Sequence, residues 1–230
     1  MRTLAIGDIH GCVRAFDALL ELVEPNRDDL VVTLGDYIDR GPDSKSVLDR
    51  MVALQGHCRC LALKGNHDLM MLAWREDPEQ FSEWLKSGGK ETLRSYQADE
   101  DWRTFAEAIP ERHWRFLQDA CVPYHETDTH FFVHANAYPD LPLAEQPDYM
   151  LYWETLEAAT WRPHESGKTM VCGHSVQHSG RPLVLDHAIC IDTWVYGDGW
   201  LTCLDVASEV YWQANERGQR RVANLRFRAR

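Results

Sequence analysis

The sequence predicts one α/β domain over residues 1–230, with two central mixed β-sheets, flanking helices and a helical insertion at about residues 69–120. Three observations lead to this fold class. Strand-like and helix-like segments alternate three times in the first third of the chain. A tryptophan-rich stretch of helical character follows, and short apolar runs dominate the remainder. A length of 230 residues suits a single domain with a sizeable core.

The first third of the chain is predicted to contain three strands with polar loops at their ends. The runs Thr3–Ile6 and Leu30–Leu34 are apolar and end in Gly-Asp, and Cys60–Leu63 precedes Lys-Gly-Asn-His. Apolar residues at helical spacing cover Val13–Leu22 and Ser46–Leu54. Repeated strand, loop and helix predict parallel β-α-β units, whose strands end at one shared rim of the sheet.

The segment from Leu69 to about Ala120 has helical character, is rich in tryptophan and is interrupted by Gly88-Gly89. We predict that it packs over the sheet as an insertion. After Cys121 short β runs predict a second, partly antiparallel sheet. These runs are Phe131–Val133, Thr169–Cys172, Pro182–Leu185, Ala188–Ile191, Leu201–Leu204 and Val210–Trp212.

Composition and charge argue against several classes of function. The chain carries 24 basic and 36 acidic residues, a net charge of −12, which disfavours nucleic acid as a partner and accommodates a cation. No apolar run reaches the roughly 18 residues that a membrane span requires, and the apolar start of the chain is too short for a signal sequence. Seven cysteines without a framework spacing fit reduced thiols. We therefore expect a soluble, cytoplasmic protein without a membrane partner.

The charge is uneven along the chain. Residues 217–230 hold six arginines and no acidic residue. We interpret this stretch as a solvated basic tail.

Five polar clusters follow apolar runs and supply the candidate functional residues. Glycine beside Asp, Asn or His after a strand permits a tight turn and presents ligands at the rim of a sheet. One such cluster is usually a turn or a helix cap, but five in one chain indicate a shared site. The candidate ligands among their residues, two Asp, three His and one Asn, suit Mn, Fe or Zn. The clusters are Gly7-Asp8-Ile9-His10-Gly11, Gly35-Asp36-Tyr37-Ile38-Asp39-Arg40-Gly41, Gly65-Asn66-His67-Asp68, Val133-His134-Ala135 and Gly173-His174.

These clusters resemble the motifs of the calcineurin-like metallophosphoesterases, and within them the serine/threonine protein phosphatases of the bacterial and bacteriophage type. The segments Trp84-Leu-Lys-Ser-Gly-Gly89 and Ile191-Asp-Thr193 also look like family features, so the resemblance covers nearly the whole chain. It implies a four-layer α/β/β/α sandwich. It also implies hydrolysis of phosphate esters by a hydroxide that bridges two metal ions, without a covalent phosphoenzyme.

The resemblance implies a set of metal ligands. Asp8 and His10 would bind the first ion, and Asp36 would bridge both ions. Asn66, His134 and His174 would complete the second site. The expected cofactor is a pair of divalent ions, Mn in the first place, with Fe or Zn as alternatives.

The resemblance also implies which residues take part in the chemistry. His67 would be the general acid that protonates the leaving oxygen, and Asp39 would pair with it and hold its tautomer. Arg40 would clamp the phosphate through its planar guanidinium. An alkoxide leaving group requires such a proton donor, whereas a metal-activated water requires no protein nucleophile.

Two departures from the family pattern concern the substrate. Asp68 stands where the family often has Glu, a form common in bacterial dinucleoside tetraphosphate hydrolases, although those enzymes often lack the acid at the Asp39 position. The second phosphate-binding Arg of the phage-type phosphatases is missing after Trp153, and Arg162 is a candidate replacement.

Two further departures concern the last motifs. Trp194 replaces the glycine of Asp-Thr-Gly, and it either narrows the site or packs on the second sheet. Val176 removes the second histidine of Gly-His-x-His, as in the phosphoprotein phosphatase branch, and we expect His178 to lie on the surface.

Phosphomonoester hydrolysis is the function that the sequence favours, with phosphoserine and phosphothreonine in proteins as the expected substrates. Small phosphoesters remain open as substrates. The alternative is a dinucleoside tetraphosphate hydrolase or a cyclic-nucleotide phosphodiesterase of the same superfamily. A metal-binding scaffold that holds phosphorylated partners without turnover is a third hypothesis, and the presence of His67 and Asp39 argues against it.

Overall fold

The computed structural model of the protein describes residues 1–157 and 162–225. Twelve strands lie within these ranges. In chain order they are β1 (Thr3–Ile6), β2 (Leu30–Thr33), β3 (Arg59–Leu63), β4 (Cys121–Val122), β5 (Tyr124–Glu126), β6 (His130–Val133), β7 (Thr169–Cys172), β8 (Leu183–Leu185), β9 (Ala188–Cys190), β10 (Leu201–Asp205), β11 (Val210–Ala214) and β12 (Arg220–Asn224).

Eight α-helices accompany the strands in the same part of the chain. They are α1 (Val13–Val23), α2 (Ser44–His57), α3 (Asn66–Glu76), α4 (Phe81–Trp84), α5 (Lys90–Ser95), α6 (Trp102–Ala108), α7 (Glu111–Arg115) and α8 (Asp148–Tyr152).

The first sheet has seven strands in the order β12-β11-β10-β1-β2-β3-β4. The strands β1, β2, β3 and β4 are parallel neighbours, and α1 and α2 connect the first three. This arrangement confirms the β-α-β units predicted from the sequence. Their polar loops therefore leave the sheet at one edge.

The chain between β3 and β4 is helical, as predicted, and contains α3 to α7. Aromatic side chains hold these short helices together. Trp74 of α3 lies with its ring centroid 5.5 Å from those of Trp84 and Phe105, and all three side chains are buried. The predicted interruption is real, because Gly88 has a φ of 117° within a π-helical turn over Leu85–Gly89.

The second sheet has five strands in the order β5-β6-β7-β9-β8. It is mixed: β6, β7 and β9 are parallel, whereas β5 and β8 pair antiparallel at the edges. The sequence assigned too many runs to this sheet. The runs Leu201–Leu204 and Val210–Trp212 belong to β10 and β11 of the first sheet instead, where β10 pairs antiparallel with β1.

Alternation along the central strands creates the layers. Leu4 and Ile6 of β1 pack with the helices, whereas Ala5 between them faces a core shared with Phe132 and Val171 of the second sheet. Leu151 of α8 belongs to a third cluster on the outer face of that sheet. Helix, sheet, sheet and helix therefore form the four-layer sandwich that was predicted.

The interpretation of the arginine-rich end as a solvated tail is wrong for its described part, which forms an edge strand of the first sheet. Arg220 and Arg221 lie in the edge strand β12, and Arg217 pairs with Asp198 at 2.7 Å. The remaining three arginines, at positions 226, 228 and 230, lie outside the described residues. In the described ranges no helix combines the length and the apolar character needed to cross a membrane.

Candidate metal centre

The five polar clusters meet at one rim, where β1, β2 and β3 of the first sheet and β6 and β7 of the second sheet end. Three contacts between distant parts of the chain illustrate the convergence. His10 Nε2 lies 3.4 Å from a carboxylate oxygen of Asp36, and His134 Nε2 lies 3.0 Å from Asn66 Oδ1. His174 donates its backbone N–H to Asp8 at 3.0 Å.

Backbone strain is concentrated at this rim. Among the described residues, nine non-glycine residues have a positive φ, and five of them are predicted site residues. Such left-handed conformations cost about 1–3 kcal/mol each and persist where the surroundings enforce them, which is typical of functional sites. The five are His10, Asp36, Asp39, Arg40 and His174, with φ between 44° and 71°.

Two glycines explain how the carboxylates approach the neighbouring loops. A Cβ atom on Gly173 would collide with Asp8 Oδ1, and a Cβ atom on Gly65 would collide with Asp36 Oδ1. Glycine at these positions therefore leaves room for the two acidic side chains.

Backbone carbonyls fix the tautomers of two buried histidines. His10 Nδ1 lies 2.9 Å from the Ile38 carbonyl oxygen, and His134 Nδ1 lies 2.7 Å from that of Leu34. Because a carbonyl only accepts hydrogen bonds, both Nδ1 atoms carry the proton and both Nε2 atoms present an unprotonated lone pair. This is the usual way in which a protein orients a histidine towards a metal ion.

His174 has the opposite tautomer. Its Nε2 atom donates to the Trp153 carbonyl oxygen at 3.0 Å, and its Nδ1 atom lies 3.1 Å from Asn66 Oδ1. The Asn66 oxygen therefore faces lone pairs of both His134 and His174, with no hydrogen between these atoms. A cation at this point satisfies all three atoms, so the donor set fits a bound metal ion.

The protonation states agree with metal binding. Burial lowers the pKa of His134 to about 4 and also lowers the pKa of His10 and of His174. Burial alone would raise the pKa of Asp36, but the surrounding imidazoles, that of His134 foremost, outweigh it and hold the pKa below its ordinary value. Near pH 7 the rim thus offers neutral imidazoles and a carboxylate, the forms that bind metals.

Asp36 is shared between two groups of potential ligands. One group is His10, Asp36 and His67, and the other is Asp36, His134 and His174, with ligand atoms within 4.8 Å of one another in each group. A shared carboxylate is the arrangement that a bridging ligand requires. The geometry differs from the sequence expectation in one respect, because the first group contains His67 rather than Asp8.

Asp8 lies beside these groups with one oxygen unpaired. Its Oδ2 atom accepts the His174 N–H, whereas Oδ1 is buried and has no hydrogen-bond partner. Burial, followed by the charges of Asp192 and Asp36, raises the pKa of this carboxyl. An unpaired buried carboxylate oxygen is costly without a cation, so Asp8 also fits a metal-binding role.

His67 and Asp39 form a buried pair next to the candidate ligands. His67 Nδ1 lies 2.7 Å from Asp39 Oδ2, and the His67 ring meets the His10 ring edge-on at 4.9 Å between centroids. Asp39 also accepts hydrogen bonds from Trp84 Nε1 at 2.9 Å and from Thr92 Oγ1 at 2.7 Å. Sequence reasoning assigned no role to Trp84 or Thr92, although Trp84 belongs to a segment that resembles a family feature.

Arg40 is exposed at the mouth of the site. One of its terminal nitrogens lies 3.1 Å from His10 Nε2, and its guanidinium stacks over the Tyr196 ring at 4.7 Å. Tyr196 in turn meets the His10 ring edge-on at 4.9 Å. The sequence offered no signal for Tyr196. Arg162 pairs with the exposed Asp140 at 2.9 Å, and its role as a replacement for the missing phosphate-binding Arg stays a prediction.

Asp68 is buried and acts on the backbone of the site. Its carboxylate accepts N–H groups from Asp36 at 2.9 Å, Tyr37 at 3.2 Å and Gly65 at 2.9 Å. Two of the ligand-bearing loops are therefore joined by one side chain.

Trp194 occupies a left-handed conformation with a φ of 66°, which explains why a glycine would suit this position. Its backbone N–H donates to Asp192 at 3.1 Å, and its ring meets the exposed His178 edge-on at 4.6 Å. Of the two alternatives left open by the sequence, these contacts favour packing over narrowing of the site.

Comparison with known families gives one extended match. The model of the family described as calcineurin-like phosphoesterase matches residues 1–201. Among curated relatives, a symmetrical bis(5'-nucleosyl)-tetraphosphatase of Erwinia tasmaniensis is 51% identical over 75 residues, which are 32% of this chain and 26% of the relative. A protein of the same name from Chromohalobacter salexigens is 44% identical over 89 residues, which are 37% of this chain and 32% of that protein. The matched region thus spans about a quarter to a third of these relatives.

Comparison with solved structures covers nearly the whole chain at low identity. A candidate diadenosine tetraphosphatase superposes with a TM-score of 0.67 at 20% identity, over 97% of this chain and 93% of the other. A cold-active protein-tyrosine phosphatase of a psychrophilic Shewanella gives 0.64 at 16% identity, over 96% and 80% of the two chains. A Saccharomyces cerevisiae serine/threonine phosphatase gives 0.59 at 13% identity, over 100% and 81%. These likenesses concern the fold.

Proposed function

Because the chain belongs to the calcineurin-like phosphoesterase family, we propose that it is a metal-dependent hydrolase of dinucleoside tetraphosphates. The observation that carries the choice of substrate is the identity of 51% over 75 residues with a symmetrical bis(5'-nucleosyl)-tetraphosphatase. Asp68 agrees with this choice, since the sequence Gly65-Asn-His-Asp68 resembles that group of hydrolases. Hydrolysis of dinucleoside tetraphosphates, the alternative that the sequence left open, is thus preferred over hydrolysis of phosphomonoesters, which was the main expectation.

The donor set at the rim supports a pair of divalent ions. Asp8, His10 and Asp36 would hold one ion, and Asp36 with Asn66, His134 and His174 would hold the other. When bound, such ions neutralise phosphate charge and lower the pKa of water so that it can act as a nucleophile at neutral pH. Mn, Fe and Zn all suit mixed oxygen and nitrogen ligands.

Arg40 would bind the phosphate chain of the substrate. It is exposed at the mouth of the site, and stacking on Tyr196 orients its guanidinium. The planar fork of an arginine matches two phosphate oxygens at once. The positive charge would also offset the acidic character of the chain as a whole.

His67 would supply a proton to the leaving oxygen. Asp39 holds Nδ1, which leaves Nε2 as the atom that can carry a transferable proton. Trp84 and Thr92 in turn hold the Asp39 carboxylate in place. The pair would thus keep the imidazole oriented throughout the reaction.

A phosphomonoesterase is the second candidate function, and one specific observation favours it. A nucleoside diphosphate leaves as an acidic phosphate, which needs little protonation, whereas an alkoxide needs a strong proton donor. The hydrogen-bonded Asp39–His67 pair is therefore better explained by a poor leaving group such as the hydroxyl of serine or threonine. This function was the main expectation from the sequence.

Product analysis tests the proposal. Protein reconstituted with Mn is incubated with diadenosine tetraphosphate, and the nucleotides are separated by chromatography. Symmetrical hydrolysis yields two molecules of ADP and nothing else. Release of AMP and ATP, or no turnover under conditions in which p-nitrophenyl phosphate is hydrolysed, would contradict the proposal.

A further inference from the structure

A cavity of about 490 Å³ lies next to the metal centre between α3 and the end of α8. Its apolar side is formed by Leu69, Met70 and Ala73 of α3 and by Trp153, which follows α8 directly. The volume falls within the range of about 300–1,000 Å³ that is usual for small-molecule sites.

Two connections fix the position of this cavity relative to the candidate ligands. α3 begins with Asn66 and His67, so Leu69 lies one helical turn from Asn66 on a neighbouring position of the same helix. The Trp153 carbonyl oxygen accepts the hydrogen bond from His174 Nε2 at 3.0 Å. The cavity therefore adjoins the ligands of the second ion group.

The indole of Trp153 is exposed to an unusual degree for so large an apolar side chain. Its relative exposure is 42%, whereas Trp74 and Trp84 in the helical segment are buried. An exposed aromatic ring beside a catalytic centre offers a flat surface on which a planar ligand can stack. A nucleobase has such a face, and aromatic side chains bind bases by stacking with little dependence on their sequence.

Polar groups at the edge of the cavity complement the rest of a nucleoside. Gln80, Gln118 and Asp148 line it together with the apolar residues, and so do the charged residues Arg75 and Glu76. Carboxamides and a carboxylate can pair with the exocyclic amino group of a base and with the hydroxyls of a ribose. The cavity thus combines an apolar floor, an aromatic wall and a polar edge.

We propose that this cavity is a nucleoside subsite, in which Trp153 stacks on one base of the substrate while the phosphates reach the metal centre. The proposal rests on the proposed dinucleotide hydrolysis and adds to it the residue that determines specificity for a nucleoside. Stacking on Trp153 would bind a nucleoside whatever its base. The polar residues at the edge of the cavity would discriminate between the bases.

The test compares two substrates on Trp153→Ala and Trp153→Phe. The ratio of kcat/KM for diadenosine tetraphosphate to that for p-nitrophenyl phosphate should fall about tenfold in Trp153→Ala, since a factor of about ten lies within the range that stacking on an aromatic ring contributes per base. Trp153→Phe should restore most of the ratio. Because both substrates use the same metals, a displaced His174 would lower both values and leave the ratio unchanged.

Tyr149→Ala is the matched control. Tyr149 is an exposed aromatic residue of α8 with 57% relative exposure, and it does not line the cavity. In Tyr149→Ala the ratio of the two kcat/KM values should equal that of the unchanged protein. An unchanged ratio in Trp153→Ala, or an equal fall in Tyr149→Ala, would overturn the subsite while leaving dinucleotide hydrolysis intact.

A binding measurement separates failure of the subsite from failure of the proposed function. AMP binding to the Mn-loaded protein is measured by equilibrium dialysis, with inorganic phosphate as the competitor for the metal centre. AMP binding that exceeds phosphate binding and weakens about tenfold in Trp153→Ala supports the subsite even if diadenosine tetraphosphate is not hydrolysed. AMP binding no tighter than that of phosphate would overturn the subsite.

Discussion

The Asp39 carboxylate lies 2.7 Å from His67 Nδ1 and is held from its other sides by the indole of Trp84 and the hydroxyl of Thr92. All four side chains are buried. This network fixes the imidazole in one orientation and leaves only Nε2 for a reaction. The arrangement is the basis for assigning proton transfer to His67.

The dependence on the leaving group tests this assignment. His67→Asn should lower kcat by about 10²–10⁴-fold on an alkyl phosphate, because the general acid is lost. The loss should be much smaller on p-nitrophenyl phosphate and diadenosine tetraphosphate, whose leaving groups are acidic. Asp39→Asn should show a weaker form of the same pattern. His57→Asn, at an exposed histidine of α2, serves as the control. Equal losses on all three substrates would show that His67 has another role, such as organising the metals.

Metal stoichiometry and affinity test the role of Asp36. The protein should bind two divalent ions per chain, with Mn as the probe in isothermal titration calorimetry. Asp36→Asn should lose more affinity than His10→Gln, since a bridging carboxylate also offsets the repulsion between two cations about 3.5–4 Å apart. Glu79→Gln, at an exposed position, controls for the loss of a carboxylate. A single bound ion at saturating Mn with full activity would contradict the dinuclear site.

We expect Asp68 to affect the stability of the fold more than the chemistry of the site. Asp68→Asn replaces one acceptor oxygen by an NH₂ group, which then faces either the N–H of Tyr37 at the Oδ1 position or the N–H groups of Asp36 and Gly65 at the Oδ2 position. We expect the free energy of unfolding to fall by about 2–4 kcal/mol, as for a buried charged acceptor that is lost. Urea denaturation of the metal-free protein measures it. If Asp68→Asn lowers the free energy of unfolding by less than a substitution at an exposed position such as Glu79→Gln, the three hydrogen bonds contribute little.

The ion pair of Arg2 and Asp29, which lies outside the site, predicts that the stability of the fold depends on pH. The hydrogen bonds from Arg2 hold the pKa of the buried Asp29 carboxyl at about 2. The folded pKa is lower than the unfolded one, so the stabilisation is present above about pH 4 and is lost as the pH falls towards 2. Asp29→Asn should thus lower the free energy of unfolding by about 2 kcal/mol at pH 7. Its difference in free energy of unfolding from the unchanged protein should shrink as the pH falls from about 4 to about 2.

Asp28→Asn is the matched control for this prediction, since Asp28 is exposed and adjacent in sequence. It removes the same formal charge without the Arg2 contact. Stability curves for Asp29→Asn and Asp28→Asn that coincide at every pH would show that the ion pair does not carry the effect.

The parts of the site that lie next to strand ends could be predicted from the sequence. Gly7-Asp8 and Gly35-Asp36 follow apolar runs directly, and the local pattern of strand and glycine is enough to place both at the rim. His134 and His174 follow β6 and β7 in the same way. These predictions depend only on neighbouring residues and on the parallel order of the strands.

Contacts between distant parts of the chain could not be predicted in this way. Thr92 lies 53 positions from the Asp39 carboxylate that it contacts, and Tyr196 reaches His10 from the far end of the chain. The placement of β10 beside β1 is also set by tertiary pairing, because a short apolar run fits either sheet equally well.

Substrate preference is the central claim and can be measured directly. The kcat/KM for diadenosine tetraphosphate is determined beside that for a phosphothreonine peptide at one Mn concentration and one pH. We predict that the dinucleotide is preferred by more than about tenfold, the margin that one stacked base would supply. An equal or higher kcat/KM for the phosphothreonine peptide would contradict the account and establish the protein as a phosphomonoesterase instead.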